Sequence, residues 1–307
     1  MRCQHLIVVG MALFLSACDR SSEPVYQLDL ESLKKTDPAR VIYRQETVIK
    51  IPLANPSGFD FSDGRFAVIG SGQVVFSQVK SGMTRLLDTP FSATAAAFGP
   101  GGKLYVAGET GIHSVAPNGE LTPWVRPPEG SFICSMAGNE AFLWLADSNH
   151  GRVLAYDPEG RMVYAIDGEK GPKGEPHFVL PSRFFDLYPA PDGSLWVTNP
   201  GRHRLENYRA DGSFLSSWGE AGTRLEAFCG CCNPTHVAVF PDGRFITVEK
   251  GLTRIKEYDQ QGTLTGVVAD AALLKNTGAG LATVILPDNR VAVLDPDAGV
   301  IRVFFKK

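Results

Sequence analysis

The residues best suited to chemistry form a short cluster of cysteines that ends in a histidine. Cys229, Cys231, Cys232 and His236 fall within the segment 228–236. Thiolate and imidazole groups are ligands that Cu(I), Zn²⁺ and iron–sulfur clusters favour, so these four residues are candidates for a soft-metal site. Their spacing matches no metal-binding pattern that we can defend, and two directly adjacent cysteines rarely chelate one ion well.

The same cysteines are also suited to disulfide chemistry. Outside the cytoplasm thiols tend to pair, so Cys231 could join Cys232 in a strained vicinal disulfide, or Cys229 could join Cys232. A strained and exposed disulfide is easily reduced, which makes a redox-active pair or a ligand platform a further hypothesis. Cys134 could also join a disulfide, but its separation from the cluster argues against this because a disulfide has a short reach. Three hypotheses stay open: a structural disulfide, a metal or redox-cofactor site, and a redox-active disulfide.

The elements that must position this cluster are predicted from an internal repeat. A turn signal, most often Asp-Gly or Pro-Asp-Gly, recurs about every 40 to 50 residues along the chain. A second glycine turn follows most of these signals by about 20 residues. Such turns need a residue with positive φ, which Gly and Asn tolerate. Short runs rich in β-branched and aromatic residues separate the turns, for example at 195–198 and 245–248.

Each repeat is therefore predicted to contain four short strands. A sheet of this size cannot bury both of its faces alone, so neighbouring sheets must stack, and radial stacking predicts an all-β, six-bladed β-propeller over residues 40–307. The last repeat supplies only three strands. We expect the segment 41–51 to provide its outer strand and to close the ring, because closure removes exposed strand edges.

One repeat carries a more specific sequence. The segment 146–157 resembles an NHL repeat, with Asn149 and His150 in place and Gly151 where that family has Leu. The resemblance, which is weaker in the other repeats, implies the six-bladed propeller. It implies little about function, because NHL propellers include scaffolds, sensors and a few enzymes. We expect structural roles for His150 and for the equivalent arginines of three repeats, Arg152, Arg204 and Arg254.

The predicted propeller places the cysteine cluster on the connection between blades four and five. This connection shares a face with the loops between strands two and three, which is the usual ligand face of a propeller. His236 and Arg183 each follow a proline by two residues, and we expect both at the mouth of the central channel. Glu249 and Lys250 should lie beside the cluster. We interpret them as a local salt bridge in preference to a component of the site. The ligand-face candidates are Cys229, Cys231, Cys232, His236, Arg183, Glu249 and Lys250.

No catalytic residue is predicted, and whether the protein is an enzyme stays open. The sequence has no nucleophile-elbow pattern, and a Ser or Cys nucleophile needs a base beside it. Propeller lactonases hold a divalent ion with inward Glu, Asn and Asp, whereas only Asp60 and Asp186 are acidic on the predicted inner strands. Either carboxylate would equally well accept backbone hydrogen bonds in the channel. The amidating-lyase branch of NHL-like propellers holds zinc with channel histidines, and His236 is the only good candidate for that role.

The first residues have the pattern of an export signal. A short basic start precedes the apolar stretch 6–15, which is about half as long as a membrane-spanning helix. The stretch ends at Cys18 in a sequence that resembles a bacterial lipobox. This resemblance implies cleavage before Cys18, lipidation of its thiol, and a membrane anchor facing the periplasm. Asp19, by resemblance to enterobacterial lipoproteins, favours the inner membrane. We predict a signal peptide over 1–17 and a lipidated tether over 18–39.

Composition restricts the partners of the protein. The formal net charge is -3, and acidic and basic residues are interspersed, so nothing supports a nucleic-acid partner. We predict a membrane-anchored periplasmic binding or scaffold module with a protein or small-molecule partner. The alternative is a redox- or metal-dependent enzyme, or an accessory subunit of a respiratory complex, that uses the cysteine cluster and, as a cofactor, a soft metal or none.

Overall fold

A computed structural model of the chain describes residues 29–78, 82–167, 178–274 and 280–307. The predicted signal peptide, Cys18 and Asp19 lie outside these ranges. Within them the fold is all-β apart from the short helix α1 (Leu30–Lys34) and single turns of 3-10 helix at Pro38–Arg40, Pro100–Gly102 and Pro200–Arg202. No helix in this part of the chain is long and apolar enough to cross a membrane.

The described strands form six four-stranded sheets, which are the blades of a β-propeller. The strands of blades one to three are β2 (Pro56–Ser62), β3 (Arg65–Gly70), β4 (Gln73–Gln78), β5 (Gly82–Asp88), β6 (Ala95–Phe98), β7 (Leu104–Gly108), β8 (Gly111–Val115), β9 (Leu121–Val125), β10 (Ile133–Gly138), β11 (Leu143–Asp147), β12 (Arg152–Tyr156) and β13 (Met162–Ile166). Those of blades four to six are β14 (Leu187–Pro189), β15 (Leu195–Asn199), β16 (Arg204–Tyr208), β17 (Phe214–Trp218), β18 (His236–Val239), β19 (Phe245–Glu249), β20 (Arg254–Tyr258), β21 (Leu264–Ala269), β22 (Ala282–Ile285), β23 (Val291–Asp295), β24 (Val300–Lys306) and β1 (Tyr43–Lys50). The predicted six-bladed architecture is confirmed.

The ring closes through the N-terminal strand. β1 pairs antiparallel with β24, so that Tyr43 lies opposite Lys306 and Lys50 lies opposite Val300. The last blade therefore has the strand order β1-β24-β23-β22, with the N-terminal strand on its outside. This arrangement confirms the predicted closure and covers the strand edge that β24 would otherwise expose.

The hydrophobic core lies between the blades. Each cluster of buried apolar side chains takes its members from two neighbouring sheets; one of them joins Trp196 of blade four to Val237 and Phe245 of blade five. Both faces of a blade are covered in this way, and the second strand of blades three to six is buried along its whole length. Burial on both faces explains why the alternation of polar and apolar residues in the sequence is only partial.

The two ends of the propeller differ in their connections. One end, here called the turn face, carries the tight turns between strands one and two and between strands three and four. In the turn 240–244, Gly243 has a φ of 85° and donates its N–H to the carbonyl of Phe240 at 2.9 Å. The other end, the loop face, carries the loops between strands two and three and the connections between blades, including 219–235.

One strand begins later than the sequence predicts. Asp186 was expected on the inner strand of blade four, but β14 starts at Leu187. The N–H of Asp186 bonds to the hydroxyl of Thr198 at 2.8 Å rather than to a backbone carbonyl. The carbonyl of Asp186 still accepts the N–H of Thr198 at 2.9 Å, so the backbone ladder is only half formed at this residue.

Candidate functional site

A cavity with a volume of about 310 Å³ lies on the axis of the ring. Inner strands of the blades line it, and its polar lining groups include Asp60, Ser135, Asp186, Tyr188 and His236. The lining contains no Lys or Arg among the residues that the structure describes. The channel therefore offers hydrogen-bonding and acidic groups without a fixed cation.

Asp186 joins three blades at the loop-face end of this cavity. One carboxylate oxygen accepts the hydroxyl of Ser135, in blade three, at 2.6 Å. The other accepts the N–H of Val237, in blade five, at 3.0 Å and lies 3.2 Å from Nδ1 of His236. A carboxylate at Nδ1 orients the imidazole ring and leaves Nε2 as the hydrogen-bond acceptor of the neutral ring. The His236 side chain retains 22% exposure, so it is available to a ligand.

Asp60 lies on the opposite side of the ring, on the inner strand of blade one and nearer the turn face. Its carboxylate accepts the N–H of Phe61 at 2.7 Å and, across the blade boundary, the N–H of Phe98 at 2.8 Å. Burial raises the pKa of Asp60 to about 6, although backbone hydrogen bonds partly offset this effect. Asp60 and Asp186 thus both accept a backbone N–H from the next blade, the structural role that the sequence left open for them.

The base of the cysteine loop is fixed by the side chain of Asn233. Its amide nitrogen donates to the carbonyl of Cys229 and, at 3.0 Å, to the carbonyl of Lys250. Its amide oxygen accepts the N–H of Lys250 at 2.7 Å. Cys229 is buried, and its own N–H donates to Glu249 at 3.1 Å. The loop is therefore attached on both flanks to the loop between β19 and β20.

A network of buried charged side chains supports the same loop from the interior of the blade. Glu249 is paired with Arg254 at 2.8 Å and with Lys256 at 3.3 Å, and all three residues are at most 2% exposed. The ammonium of Lys256 also donates to the carbonyls of Leu225 and Ala227, at 3.1 and 2.8 Å. Burial lowers the pKa of Lys256 to about 8, and the charge of Glu249 opposes that shift. A buried cation thus bonds to the chain just before the cysteines.

The tip of the loop presents two neighbouring thiols. The Sγ atoms of Cys231 and Cys232 lie 3.2 Å apart, Cys231 is exposed and Cys232 is partly exposed. The thiols of all four described cysteines are free. Cys134 lies apart from the loop, where its thiol donates to the carbonyl of Phe185 at 3.2 Å, and burial raises its pKa to about 12.

The structure separates the predicted ligand-face residues into groups. His236 lines the cavity, and Cys231 and Cys232 form the exposed tip. Arg183 does not line the cavity; its guanidinium lies over the ring of Phe132 at 4.1 Å.

The prediction of a salt bridge between Glu249 and Lys250 is wrong. Glu249 turns inward to Arg254 and Lys256. Lys250 turns outward, with its ammonium 4.8 Å from the centre of the Phe184 ring. The two side chains separate because Glu249 is the last residue of β19 and Lys250 the first of the loop.

The described residues contain no group of three or more His, Cys, Asp or Glu side chains placed to hold a metal ion. The four candidate ligands Cys229, Cys231, Cys232 and His236 are therefore not assembled as one ligand set. Cys229 is in the base of the loop, the next two cysteines are at its tip, and His236 is turned to Asp186.

Three residues that matter to this site were missed in the sequence: Ser135, Asn233 and Lys256. For Lys256 a signal was present, because β20 carries three charged residues, whereas the equivalent strand of blade three, β12, carries one. Charged residues in an interior strand indicate a buried ion-pair network. Ser135 and Asn233 had no such signal, since their partners are distant in sequence or lie across a loop.

Comparisons with known proteins agree with the fold. No family model matches the chain, and no curated protein matches it by sequence. A structure of streptogramin B lyase aligns with a TM-score of 0.58 at 11% identity, covering 88% of this chain and 100% of that one. An inactive histidine-to-alanine variant of virginiamycin B lyase from Staphylococcus aureus, with quinupristin, aligns at 0.56 and 12% identity, covering 86% and 100%. A protein of unknown function from Bacteroides caccae aligns at 0.53 and 10% identity, covering 76% and 83%. At these identities the likeness shows the propeller fold alone.

Proposed function

We propose that the protein is a lipid-anchored binding module outside the cytoplasm whose ligand face is the loop face. The propeller fold is consistent with a binding or scaffold module. The observation that carries the proposal is that the loop face brings together the channel mouth, with Asp186 and His236, and the tip of the cysteine loop. The NHL-like segment 146–157 and the lipobox-like segment before Cys18 support the same proposal.

The contrast between the two faces supports this choice. Connections of the turn face are short hairpin turns, such as 190–194 and 240–244, closed by backbone hydrogen bonds. The loop face carries the longer connections between blades, and these vary in length and composition. Binding residues concentrate on such loops when a rigid scaffold positions them.

The channel mouth is suited to a small neutral or cationic group. The cavity volume of about 310 Å³ lies at the lower end of the range for ligand sites, so it fits a side chain of a partner or a small molecule. Asp60 and Asp186 face the cavity without a Lys or Arg among its described lining, so an anion would be disfavoured there. The His236 imidazole supplies a hydrogen-bonding group whose orientation Asp186 fixes.

The tether supports an orientation of the loop face toward the membrane. Residues Glu31 to Thr36, around α1, form a cleft with Gly251, Thr253 and the segment 270–274, which all belong to the loop face. The stretch from Cys18 to Asp29 spans at most about 40 Å even when fully extended. A lipid on Cys18 would therefore keep the cysteine loop close to the bilayer, within reach of a membrane partner.

The exposed thiols favour a second candidate, a redox protein or a redox accessory subunit of a respiratory complex. Cys231 and Cys232 have the proximity that two-electron thiol chemistry needs. The metal-dependent form of this alternative has less support, because no three potential ligands converge among the described residues.

Site-specific photo-cross-linking in native membranes tests the binding face. A photo-reactive residue at Arg183 or Lys250 probes the loop face, and one at Asp192 or Asp242 is the matched control on the turn face. We expect a discrete cross-linked species from the loop face only. Equal cross-linking from both faces, or from the turn face alone, would show that the ligand face is wrongly assigned.

Membrane fractionation tests the anchor. We expect the full-length protein to incorporate labelled palmitate and to sediment with membranes, and Cys18→Ser to lose both properties. A Cys3→Ser variant is the matched control, since it alters a cysteine that the lipobox does not use. Membrane association that persists without Cys18 would contradict the lipid anchor and leave the ligand face to be judged by cross-linking.

A further inference from the structure

We propose that Cys231 and Cys232 form a thiol–disulfide exchange site whose substrate is the disulfide of another molecule. This activity goes beyond binding at the channel mouth and does not require a ligand there. It rests on the two adjacent thiols at the loop tip, on the attachment of the loop base, on the burial of Cys229 and on the hydrogen-bonded thiol of Cys134.

The geometry of the tip favours a bond that forms and breaks easily. The sulfurs lie 3.2 Å apart, so a small rotation of the side chains brings them to bonding distance. The peptide bond between the two residues is trans, which holds their Cα atoms about 3.8 Å apart. Disulfides usually join Cα atoms separated by about 4.4–6.8 Å, so this one would be strained and therefore readily reduced.

The base of the loop holds the tip in place whether the two tip thiols are reduced or joined in a disulfide. Glu249 accepts the N–H of Cys229, and Asn233 bonds to the backbone of Cys229 and Lys250. Lys256 bonds to two carbonyls on the preceding segment. None of these contacts uses a sulfur of the pair, so oxidation of the tip would leave them intact. Gly230, with a φ of 83°, supplies the backbone conformation that separates base from tip.

The remaining described cysteines are protected from the same chemistry. Cys229 is only 8% exposed. Cys134 is held between the carbonyls of Ala146 and Phe185, and burial raises the pKa of its thiol to about 12. Burial shields Cys229 from an incoming disulfide, and the raised pKa of Cys134 keeps it from the reactive thiolate form, so both react more slowly than the exposed tip. The structure thus confines exchange to one pair.

The exchange balances in two steps. The thiolate of Cys231, the more exposed sulfur, attacks the incoming disulfide, forms a mixed disulfide and releases one partner thiolate. The thiolate of Cys232 then attacks the Cys231 sulfur, forms the bond between the two residues and releases the second partner thiolate. The partner thiolates take up the two protons that the pair has lost. The pair is oxidised by two electrons, and the incoming disulfide is reduced to two thiols.

Peptide mapping of the full-length protein tests the exchange. The detergent-solubilised protein is equilibrated over a series of ratios of reduced to oxidised glutathione, quenched, alkylated and digested with trypsin. The peptide 225–244 contains Cys229, Cys231 and Cys232, and its fragmentation locates each modification. We expect a reversible loss of two hydrogens at Cys231 and Cys232, with half conversion inside the tested range. In the reduced protein, Cys231 should be alkylated at least about tenfold faster than Cys229.

Matched serine variants identify the reacting pair. Cys231→Ser and Cys232→Ser should each accumulate a mixed disulfide with glutathione, because no second thiol resolves it. Cys229→Ser and Cys134→Ser should leave the conversion of the pair unchanged. The neighbouring Cys232 thiol raises the pKa of Cys231 above its usual value, so alkylation of Cys231 should accelerate as the pH rises.

Three outcomes would overturn the proposal: a pair that stays reduced at the most oxidising ratio, a pair that cannot be reduced at the opposite extreme, or a bond that includes Cys229. Replacing oxidised glutathione with the disulfide of a thioredoxin-type protein distinguishes small from protein substrates, because the true class should react faster. Cross-linking from the Arg183 position is measured separately. Loss of exchange with retained cross-linking would therefore reject this site without rejecting the binding face.

Discussion

The loops that lead into blades three and five are held by equivalent residues at the end of the second strand. Asp147 accepts the N–H of Phe132 at 3.1 Å in blade three, and Glu249 accepts the N–H of Cys229 at 3.1 Å in blade five. Blade four repeats the contact with Asn199 and Val179, at 3.0 Å. One hydrogen bond in the same place therefore attaches each of these three loops to its own blade.

Blades three and five differ at the third residue of their third strand. Blade three has Leu154, an apolar core residue, at the position where blade five has Lys256. Lys256 adds a buried cation that donates hydrogen bonds to two carbonyls of the loop. Blade five therefore has a buried charged side chain at a position that is apolar in blade three. This side chain lies beneath the loop that carries the exposed thiols.

The largest expected effect follows from removing that cation. Lys256→Met should lower the free energy of unfolding by about 3–5 kcal/mol, because Glu249 and two carbonyls lose a buried partner. Chemical denaturation measures the change. Leu154→Met at the equivalent position is the control and should cost less than about 1.5 kcal/mol. Equal costs at the two positions would mean that the charge adds nothing to the support.

The same variant has a defined pH dependence. Burial lowers the pKa of Lys256 to about 8, whereas an unfolded lysine titrates near about 10.4. Between these values the unfolded chain binds more protons, so the wild-type protein should gain stability relative to Lys256→Met as the pH rises. The difference should be constant below pH 8.

A smaller loss is expected from the amide that joins the two loops. Asn233→Ala removes the partners of the Cys229 carbonyl and of both backbone groups of Lys250, which should cost about 2 kcal/mol. It should also speed alkylation of Cys229 by opening the base of the loop. In blade three, Asn149→Ala removes one exposed bond to the carbonyl of Gly130 and should have little effect. Unchanged protection of Cys229 in Asn233→Ala would show that the buried charges alone close the base.

The channel carboxylate Asp60 gives a third and smaller effect. Burial raises its pKa to about 6 from a usual value near 3.8, so the folded protein binds a proton more tightly than the unfolded chain. Its contribution to stability therefore falls as the pH rises from about 4 to 6. Asp60→Asn should remove this component, about 1–2 kcal/mol, as measured by denaturation at several pH values. Asp60 is only partly buried in the channel wall, so the effect is smaller than the full shift.

Asp157 is the control of opposite sign for that measurement. Desolvation is the largest single influence and raises the pKa of Asp157, but the hydrogen bonds and charge of Arg161 together lower it below its usual value. Its contribution is therefore present at neutral pH and lost on acidification, and Asp157→Asn should remove that loss. If both variants shifted the pH profile in the same direction, the channel would not be the source of the Asp60 effect.

The sequence predicted most of the fold and part of the site, and the difference follows from the range of the interactions. Turns such as 240–244 depend on local residues, and closure by β1 follows from counting strands. The inward turn of Glu249 toward Lys256 depends on packing between blades, which sequence spacing does not reveal. The amide of Asn233 acts across two loops, so its role was invisible until those loops were placed side by side.

The smallest expected effect concerns His150 of blade three, which blade five replaces with an apolar residue. His150 contacts Asp147 at 2.8 Å with its side chain 39% exposed, and the equivalent residue of blade five is the buried Leu252. His150→Leu should change the free energy of unfolding by less than about 1 kcal/mol, because solvent screens the partly exposed imidazole. Asp147 keeps its bonds to Ser131, Phe132 and Arg152. If denaturation showed a loss as large as that of Lys256→Met, blade three would depend on charge as much as blade five, and the distinction between an ordinary loop and a specially supported one would fail.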